Sequence, residues 1–166
     1  MVLSAPVPHL ERQISTARGG GADLVIIDVA GKANDALGEA AKTADLVLVP
    51  LQPTPADIKT AKATLTTIRL SEAKAPVRAV WVRVKPIPHR QEQAVAFLAQ
   101  EAEGLECLPV TLGERVVYQD AYGAGQGVTE TEPGGKAAEE IQQLYMLSCQ
   151  ILDMPASGEA VRDTAA

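Results

Sequence analysis

Apolar positions along the chain fall into short solid runs, alternating with stretches where they recur every three or four residues. Solid runs fit strands covered on both faces, and the wider spacing fits helices with one buried stripe. The first run is Val2-Leu3-Ser4-Ala5, followed by Pro6 to Pro8. A helix is predicted over Leu10 to Arg18, ending at Gly19-Gly20-Gly21, where glycine tolerates the left-handed conformation of a helix end. Asp23-Leu24-Val25-Ile26-Ile27-Asp28-Val29 then reads as a buried strand bounded by acids.

Asn34 can cap an alanine-rich helix through about Thr43, and Asp45 to Pro50 repeats the strand pattern, with its proline at the strand end. Thr54-Pro55-Ala56-Asp57 is a helix start: a hydroxyl cap, proline at the first helical position and an acid in the first turn. Ile58, Ala61, Leu65 and Ile68 give that helix its core stripe. Val77 to Val84 is the next strand. Arg90 to Glu103 is a helix carrying Ala94, Val95, Leu98 and Ala102 inward, with Gly104 as its stop. Cys107 to Leu112 reads as a short strand interrupted by Pro109, and Glu114 to Tyr122 as a short helix. Lys136 to Met154 is the last helix, with Ile141, Leu144, Tyr145, Ser148, Ile151 and Leu152 toward the core. The stretch from Pro155 to Ala166 is small, polar and frayed.

This β-α succession predicts an α/β fold: a doubly wound, mostly parallel sheet with helices on both faces, as one domain over residues 1–154 with a flexible tail. Ligands of such sheets bind beyond the carboxyl ends of the strands. The loops at 30–32, 51–55, 85–89 and 113–115 are therefore the ones to inspect.

Composition narrows the chemistry. Acidic residues exceed basic ones by 21 to 15, a net charge of −6, so nucleic acid would have to be held by a local basic patch. Such a patch is sought among Arg78, Arg83, Lys85, His89 and Arg90, against the alternative of plainly solvated charges. Aromatic residues are 3% of the chain, too few for stacked-base recognition. Cys107 and Cys149 with His9 and His89 build neither a zinc site nor a disulfide framework, and read as reduced thiols. The opening residues lack a signal-peptide pattern and no apolar run approaches a membrane span, which leads us to expect a soluble, cytoplasmic protein. No GxSxG, Cys–His pair or GxGxxG is present.

Asp28 carries the most chemistry. A carboxylate after four apolar residues at a strand's carboxyl end is a Walker B arrangement, which orients a magnesium-bound water near phosphates. The plainer reading is an acid capping a loop. Three stretches resemble the ParA/MinD-type (deviant Walker) plasmid and chromosome partition ATPases, ParF-like members included. They are Ala22 to Gly31, Thr43 to Pro50, and Gln52-Pro53-Thr54-Pro55-Ala56-Asp57. Glu114 to Tyr122 looks like a further helix of that family, and Glu132 to Ile141 like the approach to its last helix.

The resemblance implies a P-loop NTPase-like fold, ATP or ADP with Mg2+ as cofactors, dimerisation, a ParB-like adaptor and nonspecific DNA as partners. By the same resemblance Asp28 is the catalytic acid and holds magnesium through water. Gly31, Gln52, Pro53 and Asp57 shape nucleotide-facing loops, and Arg83 and Arg115 are optional nucleotide contacts. Ala30 stands where the family's switch segment commonly has proline. Arg115 and Gln119 read equally as interface residues or as an ordinary solvated face.

The phosphate-cradling KGGxGK[ST] loop does not occur. Gly31-Lys32 and Gly135-Lys136 are each followed by alanine, with Ile26 and Glu130 where the loop needs glycine. By the resemblance residue 2 falls near the family's second strand, so the family's first strand, its loop and its first helix are absent from this sequence. Hydrolysis by these residues alone is not expected, because phosphoryl transfer depends on that cradle for positioning and charge. Its strand would lie inside the sheet beside Asp23 to Val29. Without it that run becomes an apolar edge, and we expect self-association or a strand-supplying partner. The competing reading is a non-catalytic interaction module or regulator on the same scaffold. A metabolic enzyme of the superfamily would need the same loop.

Overall fold

A computed structural model describes residues 9–29, 34–87 and 89–155. The predicted strand at Val2 to Ala5 and the residues beyond Pro155 lie outside the described residues. The element order is α1 (Leu10–Gly19), α2 (Asn34–Thr43), β1 (Val47–Leu51), α3 (Pro55–Leu70), β2 (Val77–Val84), α4 (Arg90–Glu101), β3 (Glu106–Gly113), α5 (Val116–Gly123), α6 (Val128–Thr131) and α7 (Lys136–Ile151).

The described strands form one parallel sheet in the order β1-β2-β3, with Val47 opposite Val77 and Arg78 opposite Glu106. Parallel strands need a crossover each time, and α3 and α4 supply the two. One sheet face carries Val49, Leu51, Ala79 and Trp81 against Ile58, Ala61 and Leu65 of α3 and Ala94 and Leu98 of α4. The other face packs Val80, Leu108 and Val110 against Leu144, Leu147 and Ile151 of α7. Helices thus cover both faces, and the α/β expectation holds at that level. Below α7, Ala121, Val128 and Ala137 join α5, α6 and α7 into a smaller apolar knot.

Local chemistry explains most boundaries. Thr54 caps α3 by accepting the Asp57 N–H at 3.3 Å, with Pro55 at the first position, and the predicted stripe of Ile58, Ala61, Leu65 and Ile68 is buried. Gly104 ends α4 at φ +82, where an added Cβ would come 2.9 Å from the Arg69 guanidinium that donates to Glu103 O. Both outer strands carry a proline within them, Pro50 in β1 and Pro109 in β3. An edge strand tolerates that, because one of its sides has no ladder to lose.

Four expectations are corrected. Residues 24–29 form no strand, and Asp23 to Val29 make no backbone hydrogen bond among the described residues. Leu24, Val25 and Ile26 are exposed, Ile26 at 85%. An apolar run becomes a strand only when a neighbouring ladder receives its N–H and C=O groups, and β1 pairs with β2 alone. Tyr145 and Val95, expected inside, are exposed: α7 turns Cys149 inward, and α4 buries the expected Ala94 and Leu98 but leaves Val95 beside them in solvent. The short helix at 128–131 escaped the periodicity, since four residues span little more than one turn. The last helix stops at Ile151, three residues short of the expected end.

Candidate functional site

The carboxyl ends of β1, β2 and β3 bring the loops after Leu51, Val84 and Gly113 to one rim of the sheet. The β1 loop is fixed by Asp57, which accepts from Gln52 N at 2.9 Å and from Thr54 Oγ1 at 3.4 Å. One carboxylate therefore ties the half-buried Gln52 and Pro53 back onto the start of α3. Its role is scaffolding, and that capping signal was readable in the sequence.

At the end of β2, Arg83 sits at φ +52, inside a register shift between Trp81 and Val84. Such a shift re-aims side chains at a strand end. Arg83 lies 3.8 Å from Glu114 and Lys85 lies 3.4 Å from the same carboxylate. Two cations share one acid, all partly exposed, so these contacts bring only a modest Coulombic gain. Beside it a shallow open depression of about 540 Å³ is lined by Ile87, His89, Gln91, Glu92 and Val95. Gln91 anchors that side by donating to Thr111 Oγ1 at 2.8 Å.

The exit of β3 is held by a network the sequence did not announce. Glu140 on α7 accepts from Gly113 N at 3.0 Å, from Arg115 Nε and Nη2, and from Tyr118 OH at 3.1 Å. A side chain at 113 would crowd the Arg115 guanidinium at 3.2 Å, so glycine permits the close approach. Burial pushes the Glu140 carboxyl up, but the Arg115, Gly113 and Tyr118 donors outweigh it and hold it below the usual carboxylate range. Tyr118 is pushed up to about 12, first by burial and then by its bond to Glu140. Arg115 is raised in turn, chiefly by its hydrogen bonds to Glu140. Only a register of three elements shows this cluster, since residues 113 and 140 are remote in the chain.

Asp28 is exposed on the run that forms no strand, so the Walker B placement at a strand's carboxyl end is corrected for these residues. Gly31 lies outside the described residues. Gln52, Pro53, Asp57, Arg83 and Arg115 do gather at the rim, although Arg115 is spent on Glu140. Gln119 is exposed on α5. The five basic residues do not form one patch: Arg78 pairs with Glu106 at 3.4 Å at the opposite end of β2 from Arg83.

Among the described residues no cluster of three or more His, Cys, Asp or Glu is placed to hold a metal ion. Mg2+ is commonly held by one or two carboxylates together with substrate phosphates, so the question passes to the phosphates. For these the described residues of the rim offer Arg83 and Lys85 but no run of backbone N–H groups of the kind that cradles a triphosphate. The described residues do not complete a site for Mg-ATP, and no hydrolytic step follows from them. No helix among the described residues is long and apolar enough to cross a membrane. Comparison of the chain with protein-family models and with curated proteins gives no match.

Proposed function

We propose that this chain is a ParA-like plasmid or chromosome partition protein, with the P-loop NTPase-like scaffold of that family but no phosphate loop within these residues. The observation that carries the reading is the Asp23–Val29 run. It is apolar on both faces, carries Asp28 at its end, and has no strand partner among the described residues. The resemblance puts the phosphate-loop strand beside that run, inside the sheet. Among the described residues no such strand lies beside it, and the run is left unpaired.

The rim supports the same reading. Asp57 ties Gln52 and Pro53 down, Arg83 is turned outward by the β2 irregularity, and Lys85 adds a second cation. These groups are suited to an anionic ligand lying across the carboxyl ends of the strands. A nucleotide held there gains charge neutralisation from Arg83 and Lys85 but no enclosure of its terminal phosphates. In this reading a ParB-like adaptor is the protein partner, and turnover needs a phosphate loop supplied beside Asp28.

Titration with a fluorescent ATP analogue and magnesium tests it, on the native chain and on Asp28→Ala. Weak magnesium-dependent binding, reduced by the substitution and without phosphate release, is the expected result. No binding at millimolar nucleotide overturns the reading. That outcome favours a non-catalytic interaction module, for which the exposed Leu24, Val25 and Ile26 are the supporting observation.

A further inference from the structure

We propose that the free edge of β1 takes up the Leu24–Val29 run of a second copy of this chain, so that two chains exchange strands reciprocally. The inference uses only the sheet edge and the unpaired run, and it holds whether or not the rim binds a nucleotide.

The acceptor is defined by β1's hydrogen bonding. Val47 N donates to Pro76 O at 3.0 Å, toward β2. Along a parallel strand the N–H and C=O of one residue point to one side, and those of the next to the other. Leu48 and Pro50 therefore direct their backbone groups away from β2, to the edge that has no partner among the described residues. That edge offers one N–H, from Leu48, and the carbonyls of Leu48 and Pro50. Their side chains are exposed as well, Leu48 at 37%, because α7 covers β2 and β3 on that face and stops short of β1.

The donor is on the same chain. Six residues, Leu24 to Val29, are enough to span the five of β1, and none of them makes a backbone hydrogen bond among the described residues. Their apolar side chains would face both ways from a strand, a pattern suited to a position inside a sheet. Among the described residues β1 pairs with β2 alone, and the run of the same chain is not on its other edge. A second copy presents the same run without the connection through α2. Aligned parallel to β1, the run brings Asp28 to the carboxyl rim, where Arg83 and Lys85 share the single carboxylate of Glu114. The other acids at the rim, Asp57 and Glu140, are already engaged, Asp57 by Gln52 N and Thr54 and Glu140 by Gly113 N, Arg115 and Tyr118. Reciprocal exchange covers the β1 edge of each chain and uses the run of each, so it closes the assembly at two chains, whereas one-way exchange would leave a β1 edge for further growth.

Two variants separate donor from acceptor. Ile26→Pro removes an N–H from the donor run, and Leu48→Pro removes the only outward N–H of β1 while leaving the bonds to β2. Sedimentation of the native chain at micromolar concentration is expected to show a dimer. Each variant alone should associate about tenfold more weakly or worse. An equimolar mixture should recover part of the loss, because a Leu48→Pro chain still donates and an Ile26→Pro chain still accepts. A general apolar contact would not show that complementation. If Leu48→Pro loses its far-ultraviolet helical spectrum, Leu48→Lys replaces it as the acceptor variant, since a charge on an edge strand blocks pairing. A native chain that stays monomeric, variants that associate as the native does, or a mixture no stronger than its parts overturns the proposal.

Discussion

Asp23-Leu24-Val25-Ile26-Ile27-Asp28-Val29 and Asp45-Leu46-Val47-Leu48-Val49-Pro50-Leu51 are nearly the same sentence in amino acids. Each opens on an acid and continues with branched aliphatic residues. Yet Val47–Leu51 is a strand with Val49 and Leu51 buried, while Ile26 stands 85% exposed on a segment with no regular structure. Intrinsic preference is equal in the two, so it decides nothing. What differs is the neighbour: β1 has β2 to receive its backbone groups and α3 to cover its face, and the earlier run has neither.

The sharpest way to break this contrast is to place the same charge in both runs. Val49→Asp puts a carboxylate into the core without a partner and should cost about 4 kcal/mol or more, enough to unfold a marginal domain. Ile26→Asp should shift stability by no more than about 0.5 kcal/mol. Urea denaturation followed by circular dichroism reads both. Equal losses would mean that the 24–29 run is packed after all.

A second comparison sets a carboxylate with partners against one without. Glu140→Gln weakens four hydrogen bonds at the exit of β3 and should cost about 1–3 kcal/mol. Asp28→Asn, at an exposed residue, should stay within about 0.5 kcal/mol. The acid limb carries the sign. Glu140 is held below its ordinary range when folded, so its contribution is present above the unfolded carboxyl value and is lost as pH falls through the depressed folded one. The native chain should therefore lose more stability on acidification than Glu140→Gln does. Identical acid limbs would remove Glu140 from that role.

The smallest effect is expected at Arg83. Glycine adopts φ +52 without strain but adds freedom to the unfolded chain, so Arg83→Gly should change stability by less than about 0.5 kcal/mol. The same substitution removes a rim cation and should weaken nucleotide-analogue binding with the fold intact. An unchanged affinity would show that the Arg83 charge takes no part in the rim.

The sheet was legible in the sequence wherever strand and neighbour are both encoded here. Val77–Val84 is found at its predicted bounds, and the capping residues Thr54, Pro55 and Asp57 placed α3 correctly. The strand order was not readable beyond the general rule, because pairing is a property of two segments. Of the rim residues, Asp57 and Arg83 come as site residues from the family resemblance alone, and only Gln52 and Pro53 follow from the carboxyl-end rule. Glu140 does not, since its partners at 113, 115 and 118 are joined to it only by α7 lying along β3. Exposure of Tyr145 shows the matching weakness of helical spacing: it finds a stripe but not which edge of it meets the sheet.

Pro50 has one more consequence. Its ring sits on the side of β1 that faces away from β2, where the sole remaining amide belongs to Leu48. A rim with two carbonyls and a single donor can be zipped only over a short length, too little to template long ordered fibrils. The fold thus leaves a vacancy on its flank while keeping that vacancy too poor in donors to recruit indiscriminately.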